Sequence, residues 1–380
     1  MGKISWNRIG LFLLITFSLS WGFHLAVAQT KGHGAYLQLG LSPLDMLFPA
    51  FAALLLQLFI YRDSGLTFPL FQSKVSWILT SYLILTAAYA GVTLIWLFTQ
   101  SGETILQGAG SLLSALWVLL VIFLISSSGK EELEAAGLGL GRLDWGFKLA
   151  LGVILFFLAQ AGLNLILGLG NYPGTAEAIL GVSIPPRIYP LGLFLGLFLS
   201  VTGTPLNGLS VVFGEEYGWR RFLLEECAPL GRQLASLLVG LITGIWHIPV
   251  ILSGVHTYPP TILGFGLGMV FFTLWGYFQG YVVFKTGSIW TAAFLPGLVN
   301  SLYAFILHYL VYPQDKTFSF GLGLYIIIIT VALPYLVISR DTFWKHENIS
   351  SYPDVQLLHC PPSSTGNLRR IFSPGLPERS

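Results

Sequence analysis

Charged residues are scarce in this chain. Only 9% of its 380 residues are Asp, Glu, Lys or Arg, whereas 54% are hydrophobic, and a typical soluble domain carries about 25% charged residues. The 17 acidic and 19 basic residues nearly cancel, so the charge balance points to no nucleic acid partner. The composition predicts a protein whose main solvent and partner is the lipid bilayer.

Cysteine is also nearly absent, since the chain has only Cys227 and Cys360. Two distant cysteines form no disulfide framework and have no metal-ligand spacing. Neither disulfides nor a cysteine metal site is therefore expected to hold the fold together.

Long apolar runs are what the sequence has in abundance. A helix that crosses a membrane needs about 20 apolar residues. Such runs lie near 9–28, 44–61, 75–99, 105–126, 147–169, 191–226, 234–253, 263–284, 289–311 and 320–338. They predict an all-α fold, a polytopic transmembrane helical bundle of about ten spans.

The first run could be mistaken for a cleaved signal peptide, because Ala26-Val27-Ala28 resembles a cleavage site. Its apolar stretch of about 20 residues is longer than the 7–15 residues of a signal peptide. We expect it to remain as a membrane anchor.

The positions of Lys and Arg predict the orientation. With the N-terminus in the cytoplasm, all 19 basic residues except Lys31, Arg187 and Lys316 lie on the cytoplasmic side, as the positive-inside rule requires. We therefore expect a multi-pass protein, most simply of a prokaryotic plasma membrane, with both termini in the cytoplasm.

Three regions follow from the runs. Residues 1–190 are predicted to be N-terminal transmembrane helices, and 191–338 to be a core with the last span. Residues 339–380 form a cytoplasmic tail rich in Pro, Ser and Arg, which we expect to be disordered.

Ionisable groups inside a membrane are costly, and they are functional candidates for that reason. Glu215, His247 and Asn300 are predicted to lie about 16–20 Å deep at the rise of an α-helix, if the helix that carries Glu215 runs from about Pro205 to Glu226 and ends at the cytoplasmic face. We expect the three side chains to meet at one level, within about 10 Å of each other.

That depth depends on a break in the long run 191–226. Proline removes a backbone donor and kinks helices, so the break is expected near Gly203–Pro205. Residues 191–203 would then be tilted, re-entrant or interfacial.

The two adjacent acids have different neighbours. Glu216 and Arg220 are four residues apart, in the order that favours an ion pair on one helix face. Glu215 has no such partner and is a candidate general base. Alternatively, both acids pair with Arg220 and Arg221 and are structural, and the spacing alone does not decide between the two.

Single histidines occur near the ends of predicted spans, at His24, His256 and His308. We interpret them as interfacial side chains.

These residues carry a resemblance to the CAAX protease and bacteriocin-processing (CPBP, Abi) family of intramembrane peptidases. The resemblance covers about 205–305, the four-helix catalytic core of that family. The similar motifs are Glu215-Glu216-x-x-x-Arg220, then His247 followed by Pro249, then Ser288-Ile289-Trp290-Thr291-Ala292-Ala293 leading to Asn300.

The resemblance implies an endopeptidase that hydrolyses a peptide bond of a membrane-associated peptide or protein. It implies that Glu215 activates the hydrolytic water, with Glu216 and Arg220 in support. It also implies that His247 holds the water or transfers protons, and that Asn300 stabilises the oxyanion.

The sequence departs from the family pattern at two positions. Pro296 stands four residues before Asn300, where the family has a second histidine, and Thr243 stands where an aromatic residue is usual. Proline can neither donate a hydrogen bond nor titrate, so the departure puts activity in doubt and leaves the fold assignment intact. It also frees the carbonyl of Ala292, four residues back, which we expect a neighbouring group or water to satisfy.

A zinc site is the alternative to a metal-free mechanism. Its ligands would be Glu215, Glu216 and His247, although catalytic zinc sites usually include more than one histidine. We favour a water activated by glutamate alone, with no cofactor.

Two other functions remain open. A catalytically impaired family member could act as an immunity or scaffold protein, and Pro296 is the argument for it. A transporter would also have mid-membrane polar groups and broken helices, but matched broken helices in the two halves are not found.

Overall fold

The computed structural model describes residues 4–32, 44–61, 71, 73–99, 102–171, 178–179, 182–183, 185–252, 262–314, 338 and 340–345. The predicted span 320–338, apart from its last residue, and the predicted disordered tail beyond residue 345 lie outside the described residues, as do His256 and Cys360.

The described residues of the N-terminal half form six helices. They are α1 (Trp6–Lys31), α2 (Leu44–Leu55), α3 (Lys74–Phe98), α4 (Gly102–Ser127), α5 (Lys130–Ala135) and α6 (Leu143–Ile166). A π-helical turn, Leu56–Ile60, extends α2. Helix α3 begins where the Ser73 hydroxyl accepts the backbone N–H of Ser76 at 3.1 Å, which satisfies one of the free donors of a helix start.

The C-terminal half contains the predicted core. Its helices are α7 (Tyr189–Val201), α8 (Gly203–Asn207), α9 (Leu209–Glu216), a π-helix (Tyr217–Leu223), α10 (Leu224–Cys227), α11 (Arg232–Trp246), α12 (Ile248–Leu252), α13 (Ile262–Thr286), α14 (Ile289–Tyr309) and α15 (Thr342–Lys345). Two short 3₁₀ turns, Pro186–Ile188 and Ala228–Leu230, join them.

Extended structure in the described residues amounts to four strands of two residues each. Strand β1 (Gly170–Asn171) pairs with β4 (Tyr312–Pro313), and β2 (Ala178–Ile179) pairs with β3 (Val182–Ser183), both antiparallel. These pairs close loops and build no layer, so the all-α prediction is confirmed.

Seven helices in the described part of the chain are long and apolar enough to cross a membrane. Two shorter apolar helices, Leu44–Ile60 and Arg232–Trp246, coincide with further predicted spans. The polytopic bundle is confirmed, and the count of ten spans stays a prediction.

Contacts between helix termini show which termini lie together at each of the two ends of the bundle. Polar contacts at one end join Arg8 to Glu226, Lys74 to the carbonyl of Ser127, and the N–H of Arg142 to the carbonyl of Thr286. Contacts at the other end join Lys31 to the carbonyl of Thr99 and β1 to β4. The same alternation was predicted from the apolar runs, and the orientation of the two ends in a membrane stays a prediction.

The long run that carries Glu215 is broken as expected, at Thr202 and again at Gly208. The segments on the two sides of these breaks nevertheless both pack along α14, and the chain there runs antiparallel to that helix. Ser301 Oγ contacts the carbonyl of Ser200, and Phe213 stacks on Trp290 with ring centroids 4.7 Å apart.

Tyr189–Asn207 is long and apolar enough to cross a membrane, and the expectation of a tilted, re-entrant or interfacial segment at 191–203 stays a prediction. Pro205 occupies the first turn of α8. The N–H groups of a first turn have no intrahelical partner, so a proline there removes no bond and the helix can restart in the same direction.

Residues 340–345 belong to the tail that was predicted to be disordered from 339 on, but they are ordered and dock at the end where α13 meets α14, so the prediction is wrong for these residues. Lys285 and the hydroxyl of Tyr281 both donate to Asp341 Oδ2, at 2.5 and 2.8 Å. Arg232 lies over the ring of Phe343, 4.2 Å from its centroid. Burial alone would raise the pKa of Asp341, but the hydrogen bonds from Lys285, Tyr281 and the Phe343 N–H outweigh it and lower that pKa.

We predict that Asp341→Asn lowers the thermal stability in detergent at neutral pH. Because the pKa of Asp341 is lowered in the folded state, its stabilisation is complete above the unfolded pKa of about 3.9 and is lost as pH falls further. The difference in melting temperature between wild type and Asp341→Asn should therefore shrink below about pH 4. Asp144→Asn is the control, since Asp144 is half exposed and surface pairs contribute little.

Candidate active site

Two glycines bring another helix against the motif that carries the acids. A Cβ at Gly214 would lie 2.7 Å from the carbonyl oxygen of Met46, and one at Gly218 would lie 2.5 Å from the carbonyl carbon of Pro49. Helix α2 thus packs directly against the chain just before and just after the two acids. The chain becomes π-helical immediately after Glu216, a distortion that is frequent at functional sites.

The predicted ion pair is confirmed. Arg220 Nε lies 3.2 Å from Glu216 Oε2, and each side chain is only 1% exposed. Arg220 Nη1 also donates to Thr243 Oγ1 at 3.4 Å. A buried pair of this kind is closed to water and substrate, which fits a supporting role.

Glu215 lies against a different partner. Its Oε1 is 3.9 Å from His247 Nε2, and both side chains are 11% exposed. That spacing is longer than a direct hydrogen bond and suits two groups that act on a molecule between them. Arg221 pairs with Glu225 instead, so the alternative in which both acids are paired with the two arginines is not what the structure shows.

His247 is held from two sides. Its Nδ1 lies 2.8 Å from the carbonyl of Thr243, and its ring stacks on Phe272 with centroids 3.7 Å apart. Thr243 therefore contacts both Arg220 and His247. The departure from the usual aromatic residue at 243 replaces a ring with a hydroxyl that accepts from Arg220, while the backbone carbonyl of the same residue contacts His247.

The structure does not bring Asn300 to this pair. Its neighbour Ser301 contacts Ser200, and Glu215 follows Ser200 by fifteen residues, about 20 Å along a helix. Asn300 is also exposed. The predicted meeting of all three groups is therefore wrong, because the stacking of Phe213 on Trp290 places Glu215 near the start of α14, whereas Asn300 lies in the second half of that helix.

Pro296 lies inside α14, which remains helical from Ile289 to Tyr309. A proline frees the carbonyl four residues earlier, here that of Ala292. Gln279 Nε2 donates to this oxygen at 2.8 Å, so the expected replacement partner is found. The same Gln279 side chain interacts with the carboxylate of Glu216 and thereby connects α13 and α14 to the ion pair.

The residues do not fit a zinc ion. Glu216 is turned to Arg220 and Gln279, whereas Glu215 is the acid that faces His247. Among the described residues, no three His, Cys, Asp or Glu side chains are grouped closely enough to hold a metal ion. No step of the proposed reaction is therefore assigned to a metal.

Sequence reasoning missed Gln279 and the linking role of Thr243. A buried amide on an apolar helix, 17 residues before the proline, was the signal for Gln279. Nothing local to Thr243 could have revealed its contact with Arg220, because that contact reaches across to another helix.

One family model matches the chain. Residues 197–302 match the model described as "type II CAAX prenyl endopeptidase Rce1-like", and the resemblance to the CAAX protease family is confirmed over these residues. They include both acids, Arg220, His247 and Asn300. At family level the match supports a CAAX protease-like intramembrane peptidase. No curated protein and no solved structure matches the chain.

We predict that the two acids respond differently to neutralisation. Glu216→Gln should lower the free energy of unfolding by about 3–5 kcal/mol, because Arg220 is left buried without its counter-charge. Glu215→Gln should leave the stability nearly unchanged. Thermal unfolding of both variants in detergent measures this, and equal, large losses would assign both acids to the fold.

A second prediction concerns the carbonyl freed by Pro296. Gln279→Leu should cost about 1–3 kcal/mol, since a buried acceptor loses its donor. In a Pro296→Ala background the alanine N–H can bond to Ala292, so the same change should cost less. Unfolding of both single variants and the double variant gives the coupling energy, and strictly additive losses would contradict this role of Gln279.

Proposed function

We propose that this protein is an intramembrane endopeptidase of the CAAX prenyl protease-like class, which cleaves a membrane-associated peptide or protein with a water activated by Glu215. The observation that carries the proposal is the facing pair of Glu215 and His247, 3.9 Å apart and slightly exposed, within the region that matches the family.

The reaction starts with a water between the two side chains. Glu215 accepts a proton from the water while the water oxygen adds to the scissile carbonyl carbon, and the carbonyl oxygen becomes negative. Glu215 then returns the proton to the amide nitrogen as the C–N bond breaks. The products are a carboxylic acid and an amine, and no other reactant is needed.

His247 holds the water in this scheme. Its Nδ1 contact with Thr243 and its stacking on Phe272 leave Nε2 directed at Glu215. Rigid placement of a reactant against a base is worth several orders of magnitude in rate.

The supporting residues fix the base. Glu216 and Arg220 form a buried pair in the turn that follows Glu215, and Gln279 ties that pair to α14. Asn300 is left out of the proposed machinery because of its distance and exposure.

The proposed setting is a plasma membrane with both termini in the cytoplasm. Positive-inside asymmetry of the basic residues supports it. The site lies among helices, so we propose a substrate that enters from the bilayer.

We predict that Glu215→Gln and His247→Gln each lower cleavage of a membrane-tethered peptide by about 10²–10⁴-fold, the usual contribution of a general base or proton-transfer group. Purified protein in lipid vesicles would be tested on a panel of tethered peptides, prenylated and unprenylated. Glu226→Gln is the control, since that acid pairs with Arg8 at a helix end.

Asn300→Ala separates this scheme from the one that the family resemblance implies. We expect a loss far below the about 10²–10³-fold of a missing oxyanion donor. A loss of that size would return Asn300 to the site.

The second candidate is a catalytically impaired scaffold protein, and Pro296 in the place of a histidine favours it. If wild type and Glu215→Gln are both folded and neither cleaves any peptide, the result would support the scaffold function and overturn the peptidase function.

A further inference from the structure

A second carboxylate–histidine pair lies in the N-terminal helices, outside the region matched to the family. His24 Nε2 on α1 is 3.2 Å from Asp45 Oδ2 on α2, with the side chains 6% and 1% exposed. The interpretation of His24 as an interfacial side chain is therefore wrong. A buried ionisable pair is expensive, and the proposed mechanism has not yet used this one.

Two packing contacts place this pair beside the candidate site. Helix α2 lies against Gly214, the residue before Glu215, through Met46, the residue after Asp45. Helix α1 reaches the other half of the site, since Trp21 Nε1 donates to the carbonyl of Trp246 at 3.3 Å.

The sequence neighbours define the spacing. Trp246 precedes His247, and Trp21 precedes His24 by three residues, which is about 4.5 Å along α1. The carboxylates of Asp45 and Glu215 are near enough to interact electrostatically.

The Glu215–His247 and Asp45–His24 pairs are neighbours, but they do not form a common metal-binding cluster. No three of the four side chains are grouped closely enough to hold a common metal ion. A peptide group that bound between two acid–imidazole pairs would be contacted from both sides.

We propose that Asp45 and His24 complete the site and supply the second imidazole that Pro296 removes. This rests on the proposed peptidase function. Asp45 orients His24, and the His24 ring donates a hydrogen bond to the carbonyl oxygen that becomes negative when water adds. The proton of the water still passes to Glu215 and then to the leaving nitrogen, so His24 stabilises charge and the proton balance is unchanged.

The assignment also explains how a family member can lack a histidine on α14. The histidine on α14 is replaced by one on α1, and the N-terminal helices become part of the catalytic centre.

The experiment compares His24→Gln, Asp45→Asn and Asp45→Glu with wild type in lipid vesicles, using the tethered peptide that wild type cleaves. We expect His24→Gln to lower kcat by about 10²–10³-fold and to leave KM within about threefold, because the interaction exists only in the transition state. Asp45→Asn should lower kcat and Asp45→Glu should retain more activity. The matched control is His308→Gln, an exposed histidine whose Nδ1 contacts the carbonyl four residues back, as His247 does.

Melting temperatures of all variants identify the folded fraction, and kcat is expressed per folded molecule. A wild-type kcat per folded molecule in His24→Gln would overturn the inference even if stability falls. If wild type cleaves and Glu215→Gln does not, while His24→Gln retains full kcat, only this inference fails. If no peptide is cleaved by wild type or by Glu215→Gln, the peptidase function fails and the inference fails with it.

Discussion

One buried ion pair organises the centre of this bundle. Glu216 and Arg220 are almost wholly enclosed, and their remaining contacts reach Thr243 on α11 and Gln279 on α13. A buried pair adds little net stability, but the loss of either partner is costly, so its effect is to fix how these helices meet. Glu215 precedes Glu216, and its direction is therefore set by the same contacts.

Local rules were sufficient for the parts of the site that lie within one helix. The four-residue spacing of Glu216 and Arg220 predicted their pairing, and proline chemistry predicted that the carbonyl of Ala292 would need a new donor. Apolar runs were sufficient for the all-α bundle. In each case the physical cause acts between residues that are close along the chain.

The error at Asn300 came from the reference point of the depth estimate. The depth of Glu215 was counted from Glu226, taken as the cytoplasmic end of its helix, whereas Phe213 stacks on Trp290 near the start of α14 and far along that helix from Asn300. The pairing of His24 with Asp45 was missed for another reason, since its place beside the site arises only when α2 packs on Gly214 and α1 contacts Trp246. No pattern within either helix reports these contacts.

Gln279 and Pro296 constrain which substitutions each position tolerates. A proline at 296 in a chain with an apolar residue at 279 would bury a carbonyl without a donor, at a cost of about 1–3 kcal/mol, while an amide at 279 beside a histidine at 296 would still have Glu216 to contact. Of the two orders of substitution, the one that acquires the amide first avoids the unstable intermediate. With proline in place, the glutamine cannot be exchanged freely, so the side chain at 279 on one helix limits what the protein tolerates at 296 on another.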